Sequence, residues 1–187
     1  MKKQLLIPLL LFMGTTTTPA QESSTHDTPI PRMLVAYFSA TGTTAVAARQ
    51  LAAATGADLF AITPGKPYTA ADLDWHDSRS RSSLEMNDPQ SRPALEGRCE
   101  RMKEYDVVFI GYPIWWDLAP RIINTFIESH DLKGKTVIAF ATSGGSGISH
   151  SVSMLKRDYP DLNWKEGRLL NRANDKSLRN WLASLSF

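Results

Sequence analysis

Ser39-Ala40-Thr41-Gly42-Thr43-Thr44 places four hydroxyls around one glycine, directly after the apolar run Met33-Leu34-Val35-Ala36-Tyr37-Phe38. The chemistry this spacing offers is the holding of a phosphate. A β-branched and aromatic run that stops at a Thr/Gly cluster reads as a buried strand entering a turn. The next stretch, Ala45-Val46-Ala47-Ala48-Arg49-Gln50-Leu51-Ala52, is good helix-forming sequence. Strand, hydroxyl-rich loop and helix in that order bring backbone N–H groups to the positive end of a helix, with hydroxyls beside them. The cradle contains no lysine, which suits a phosphate that is held rather than transferred.

Two more segments could face the same ligand. Gly111-Tyr112-Pro113-Ile114-Trp115-Trp116-Asp117 follows the run Val107–Gly111 and offers a rigid aromatic wall. Thr142-Ser143-Gly144-Gly145-Ser146-Gly147 follows Thr136–Ala141 and offers a glycine strip that lets backbone approach a ligand closely. In an open parallel sheet, ligands bind outside the carboxyl ends of the strands. A phosphate cradle, an aromatic wall and a glycine strip at one sheet edge suit a flat, phosphorylated, partly apolar molecule, flavin mononucleotide (FMN).

The elements that must position these loops alternate along the chain. Strands are expected at Met33–Phe38, Leu59–Ile62, Val107–Gly111, Thr136–Ala141 and, more weakly, Gly167–Leu170. Helices are expected at Thr44–Ala54, Arg92–Glu104, Pro120–Glu128, Ile148–Asp158 and Asp175–Leu185, with Pro120 in a first turn. Strands one, three and four are almost continuously apolar, the pattern of strands buried on both faces of a parallel sheet. The architecture predicted is a three-layer α/β/α sandwich. Thr63–Pro93 breaks the rhythm with four prolines and reads as a long connection, with one short helix near Ala70–Trp75. Arg79 and Arg81 within it read as a solvated face. Leu95, Cys99 and Met102 recur at helical spacing, so the single cysteine is expected on a buried helix face.

The first loop resembles the flavodoxin phosphate signature, and the loops at 111–116 and 142–147 resemble the second and third FMN loops of a bacterial flavodoxin-like family. The resemblance runs from Met33 to the C-terminus. It implies a flavodoxin-like five-stranded parallel sheet in the order 2-1-3-4-5 and a non-covalent FMN. Ser39, Thr41, Gly42, Thr43 and Thr44 would hold the phosphate. Pro113, Ile114, Trp115 and Trp116 would flank the ring, and Thr142, Ser143, Gly144, Gly145 and Gly147 would turn amides to its polar edge. The third loop lacks the tyrosine usual in flavodoxins, so one flavin face is expected open, or covered by the 63–93 segment through Tyr68 or Trp75. Flavodoxins are usually acidic, and this chain is not.

The N-terminus carries its own pattern: Lys2-Lys3, the apolar run Leu5–Met13, and Thr18-Pro19-Ala20. It reads as a Sec signal peptide over residues 1–20, cleaved after Ala20, with 21–32 as a tether and 33–187 as the folded domain. The apolar run falls short of the roughly 20 residues of a spanning helix, so no stable membrane anchor is expected after cleavage, and the location is periplasmic or secreted. Of 21 Lys+Arg and 19 Asp+Glu, removal of Lys2 and Lys3 leaves 19 against 19. That balance, with no basic tract, gives no case for nucleic acid. One cysteine excludes an internal disulfide, and His26, His76, His130 and His150 show no metal-ligand spacing; His130 and His150 read as surface positions. No nucleophile elbow and no nucleoside-triphosphate loop is present.

The function expected is electron transfer through FMN, with a redox protein or a small electron acceptor as partner, no essential acid–base residue, and a monomer or homodimer. An FMN-dependent reductase of quinones or nitro compounds and a flavin-free binding module are the alternatives.

Overall fold

The computed structural model describes residues 30–171 and 175–185. The expected signal peptide and the tether up to residue 29 lie outside the described residues. Five parallel strands, β1 (Met33–Tyr37), β2 (Asp58–Ala61), β3 (Val107–Pro113), β4 (Thr136–Thr142) and β5 (Asn163–Trp164), pair in the order β2-β1-β3-β4-β5. This is the order the resemblance implies. The weak fifth strand divides: β5 pairs with the start of β4, and a two-residue β6 (Arg168–Leu169) pairs with its end.

The alternation of side chains across the strands builds two cores. Leu34, Ala36, Val108, Ile110, Tyr112, Val137 and Ala139 face α3 (Arg121–Ser129) and α4 (Ser149–Asp158). Val35, Phe109, Ile138 and Phe140 face α1 (Thr43–Thr55) and α5 (Asp175–Ser184), which close over them with Ala48, Leu51, Leu178 and Trp181. Burial on both faces explains the unbroken apolar runs of β1, β3 and β4. At Gly111 the Phe140 ring occupies the place of a side chain; an added Cβ would sit 2.1 Å from that ring.

The connection from β2 to β3 departs from the sequence expectation. The helix expected over Arg92–Glu104 does not form, apart from a single 3-10 turn at Met102–Glu104. Instead the chain runs back along residues 63–65: the Gly65 amide donates to the Ala94 carbonyl at 2.8 Å, and the Glu96 amide to Thr63 at 2.9 Å. Pro93 and Gly97 are poor helix residues, and this pairing satisfies the backbone another way. Leu95, Cys99 and Met102 still reach the core, so their spacing reports burial without a helix.

A helix does form where none was expected, α2 (Arg81–Asn87). Ser80 caps it, accepting from the Ser83 amide at 3.2 Å. The short helix expected near Ala70–Trp75 is a 3-10 turn at Ala71–Leu73. The segment from 62 to 106 thus stands beside α3 and α4 as a folded cover on one sheet face.

Candidate functional site

The loop after β1 is shaped by its first and fourth residues. Gly42, at φ +92°, makes the left-handed turn that admits the chain to α1. Ser39 Oγ accepts from the amides of Gly42 and Ala45, both at 3.1 Å. Thr41, Gly42 and Thr43 stand exposed. The amides of Thr43 and Thr44 open a helix and so have no intrahelical acceptor. Thr44 differs from the expectation in one respect: its hydroxyl is buried against the Thr142 hydroxyl at 2.8 Å. What it has left for a ligand is its backbone amide.

The loop after β3 is a tight turn. Trp115 and Leu118 exchange backbone hydrogen bonds of 3.0 and 2.9 Å, and Trp116 and Asp117 between them both take positive φ, 47° and 63°. Positive φ at both central positions is the mark of a type I′ turn, which favours Gly and Asn. Trp and Asp here hold a strained backbone, a condition that clusters at ligand-binding sites. The two tryptophans divide. Trp115 packs edge-on against Phe38 (5.5 Å) and Tyr68 (5.4 Å), whereas Trp116 is 45 % exposed.

The loop after β4 is braced from both ends. The Ile114 amide donates to the Thr142 carbonyl at 2.8 Å. The Asn171 side chain, following β6, accepts from the Ser143 amide and donates to the Ser143 carbonyl, each at 2.7 Å. Ser143 Oγ in turn takes the Gly145 amide at 3.1 Å. No hydrogen bond among the described residues uses the amides of Gly144 or Trp116. Gly144, Gly145 and Gly147 show none of the reasons a fold has for glycine. Each has no atom within 4 Å of a Cβ built upon it, and none has positive φ. The space above them lies open for something to approach closely.

Beside these loops is a cavity of about 360 Å³. Ala40 and Thr41 come from the first loop, Pro113–Trp116 from the second, and Leu73, Trp75 and Ser82 from the cover. None of these side chains is ionisable. The third loop adjoins this cavity through its ties to the other two rather than lining it. Trp75 stands 66 % exposed at the rim, so of the two aromatic candidates for the cover it is Trp75 that meets the cavity. Tyr68 lies behind Trp115: its hydroxyl donates to Glu85, and its pKa is raised by burial first and by Glu85 second. Arg81 pairs with Glu85 at 2.6 Å and lies 4.0 Å over the Tyr68 ring. It is therefore part of the packing that holds the cover, not a solvated face; Arg79 is the solvated one.

His130 is also not a surface residue. Its Nδ1–H donates to the Phe126 carbonyl at 2.8 Å and its Nε2 accepts from the Cys99 amide at 2.9 Å, which together fix the tautomer. Burial lowers its pKa. The residue that sequence reasoning passed over is Asn171. The rule that ligands gather at the carboxyl ends of parallel strands, applied to the weak fifth strand as to the others, leads to it.

A parallel sheet in this order, with three hydrogen-bonded loops at its carboxyl edge, defines the flavodoxin-like class. The flavodoxin family profile matches residues 32–185. A protein from Bacteroides eggerthii DSM 20697 assigned as a flavoprotein is 66 % identical, over 84 % of this chain and 99 % of its own, with a TM-score of 0.83. Another from Bacteroides uniformis ATCC 8492, assigned likewise, is 57 % identical over 82 % and 98 %, at 0.80. A flavoprotein from Lactobacillus acidophilus NCFM, solved in complex with FMN, shares the fold at 20 % identity, with a TM-score of 0.64 over 81 % of this chain and 99 % of its own. The curated proteins gave no match. The chain belongs to the flavodoxin family.

Proposed function

We propose that this protein binds FMN non-covalently and passes electrons through it. The observation that carries the reading is the convergence on Thr142, whose hydroxyl ties the first loop and whose carbonyl ties the second, while the open glycine strip leads away from it. The phosphate would be held by the amides of the α1 first turn with the hydroxyls of Ser39, Thr41 and Thr43, as at other helix N-termini. Pro113, Ile114 and Trp116 would wall the ring, and the unused amides of Trp116 and Gly144 would donate to its polar edge. Bound FMN supplies the electron chemistry, and the protein supplies position and electrostatics. No acid–base residue lines the cavity, in keeping with that division.

The cavity itself favours a second reading, in which the acceptor is a small uncharged molecule such as a quinone or nitro compound. Its walls carry no charge to recruit an ionic partner, and Trp75 offers an aromatic face at its mouth. The mature chain, 19 cations against 19 anions, lacks the strong charge that steers a carrier to a redox protein. The signal-like N-terminus supports export to the periplasm or beyond; N-terminal sequencing of exported material is expected to start near Gln21.

The two readings separate on one experiment. The FMN-loaded protein is mixed anaerobically with NAD(P)H. Bleaching of the flavin marks a reductase. Bleaching only by a strong chemical reductant marks a carrier. Failure to retain FMN at all overturns both and leaves a flavin-free binding module.

A further inference from the structure

The groove between α3 and α4 holds a cation that the fold does not neutralise. Arg121 opens α3; its Nη2 donates to the Met86 carbonyl at 3.1 Å, while its Nε is shielded from solvent with no hydrogen-bond partner. Among the described residues no carboxylate lies within ion-pair distance of it. Its neighbours are matched: Arg92 forms a double contact with Glu128, both at 2.8 Å, and Arg157 meets Asp158 at 2.7 Å. Asp158 and Asp88 attract Arg121 only from beyond contact, and Arg92 repels it. A partly buried guanidinium with one N–H shut off from solvent and unpaired is costly unless something pairs with it.

Arg121 lines a cavity of about 320 Å³ that has two kinds of wall. Asn124 and Ser151 stand with it as polar groups, the mutually paired Arg157 and Asp158 add a second charged but balanced stretch of wall, and Leu118, Met154 and Leu155 provide apolar surface. We propose that this groove binds a small monocarboxylate with a compact apolar body, the carboxylate paired with Arg121 and the body laid against Leu118, Met154 and Leu155. One unpaired cation calls for one negative charge. A dianion such as inorganic phosphate brings a second charge towards Asp158 and leaves the apolar wall uncovered. Planar guanidinium matches carboxylate geometry well. The site is separate from the cofactor loops and does not depend on FMN, yet Leu118 closes the turn that carries Trp116. An occupant would therefore touch the back of that turn.

The test titrates benzoate into the purified protein and follows the arginine Nε–H signals by NMR alongside tryptophan fluorescence. A saturable shift of the Arg121 signal is expected. Arg121→Gln weakens benzoate about tenfold or more, and neutral benzamide binds wild type about tenfold more weakly than benzoate, because the charge-assisted pair is lost in each case. Met154→Trp, which keeps the arginine and fills the groove, also abolishes binding; it serves should Arg121→Gln fail to fold. Benzoate binding that survives Arg121→Gln or Met154→Trp, or no saturation at tens of millimolar, overturns the proposal. Inorganic phosphate binding as tightly as benzoate overturns the assigned ligand class.

Discussion

The hydroxyls of Thr44 and Thr142, 98 positions apart in the chain, meet at 2.8 Å in a buried contact at the carboxyl edge of the sheet. This contact fastens the start of α1 to the end of β4. It sets the distance between the first-turn amides of α1 and the glycine strip.

Thr44→Val keeps the shape and removes one partner, leaving the Thr142 hydroxyl buried and unpaired. The expected loss is about 1–3 kcal/mol in urea unfolding. Thr44→Val with Thr142→Val is expected to cost less than the sum of the two single changes, because neither partner is then stranded.

Gly111→Ala is expected to destabilise by about 1–3 kcal/mol, since the new methyl meets the buried Phe140 ring at 2.1 Å. Adding Phe140→Leu should recover part of that loss. Thermal unfolding of the two variants checks both statements.

Gly144→Ala separates fold from function. Nothing lies within 4 Å of the added Cβ, so unfolding stability should stay within about 0.5 kcal/mol of wild type, as for uncrowded surface positions. FMN affinity should fall about tenfold or more, a cost of about 1.4 kcal/mol. Equilibrium titration with FMN measures it; unchanged affinity would remove the glycine strip from the site.

Trp116→Gly should move stability and binding in opposite directions. Relief of the left-handed tryptophan is worth about 1 kcal/mol to the flavin-free protein. Loss of the indole wall should weaken FMN by about tenfold or more. Unfolding and FMN titration of the same variant test the pair.

His130 gives the fold a pH dependence. Burial lowers its folded pKa below the ordinary 6.5, so the unfolded chain takes up the proton first. Stability is then retained above about pH 6.5 and falls as the pH drops towards the folded value. A denaturation series between pH 7.5 and pH 5, spanning the range in which histidine titrates, should show this decline in wild type and a shallower one in His130→Gln.

Much of the architecture was legible because burial on two faces leaves a strong mark. The runs of β1, β3 and β4 could hardly be anything but central strands, and each was followed by a loop of distinctive chemistry. The cover was not legible. Leu95, Cys99 and Met102 imitate helical spacing while the backbone pairs with residues 63–65, a tertiary preference that local pattern cannot show. The α2 helix was hidden by the opposite effect: its Ser80 cap was present, but the surrounding prolines and charges suggested loop. Within the site, residue types pointed to the three loops, yet they could not say that the Thr44 hydroxyl would turn inward or that, of two tryptophans lining the cavity, Trp115 would pack back on Phe38 and Tyr68 while Trp116 stayed half exposed. Those choices are made by packing against Phe38, Tyr68 and Thr142.

The most direct measurement is the visible absorption spectrum of the purified protein after incubation with FMN and removal of the excess. A two-band flavin spectrum at one FMN per chain is predicted, and at a hundredfold excess over Kd the bound cofactor should add about 2.7 kcal/mol of stability. A colourless protein, unchanged in stability by added FMN, would contradict the account.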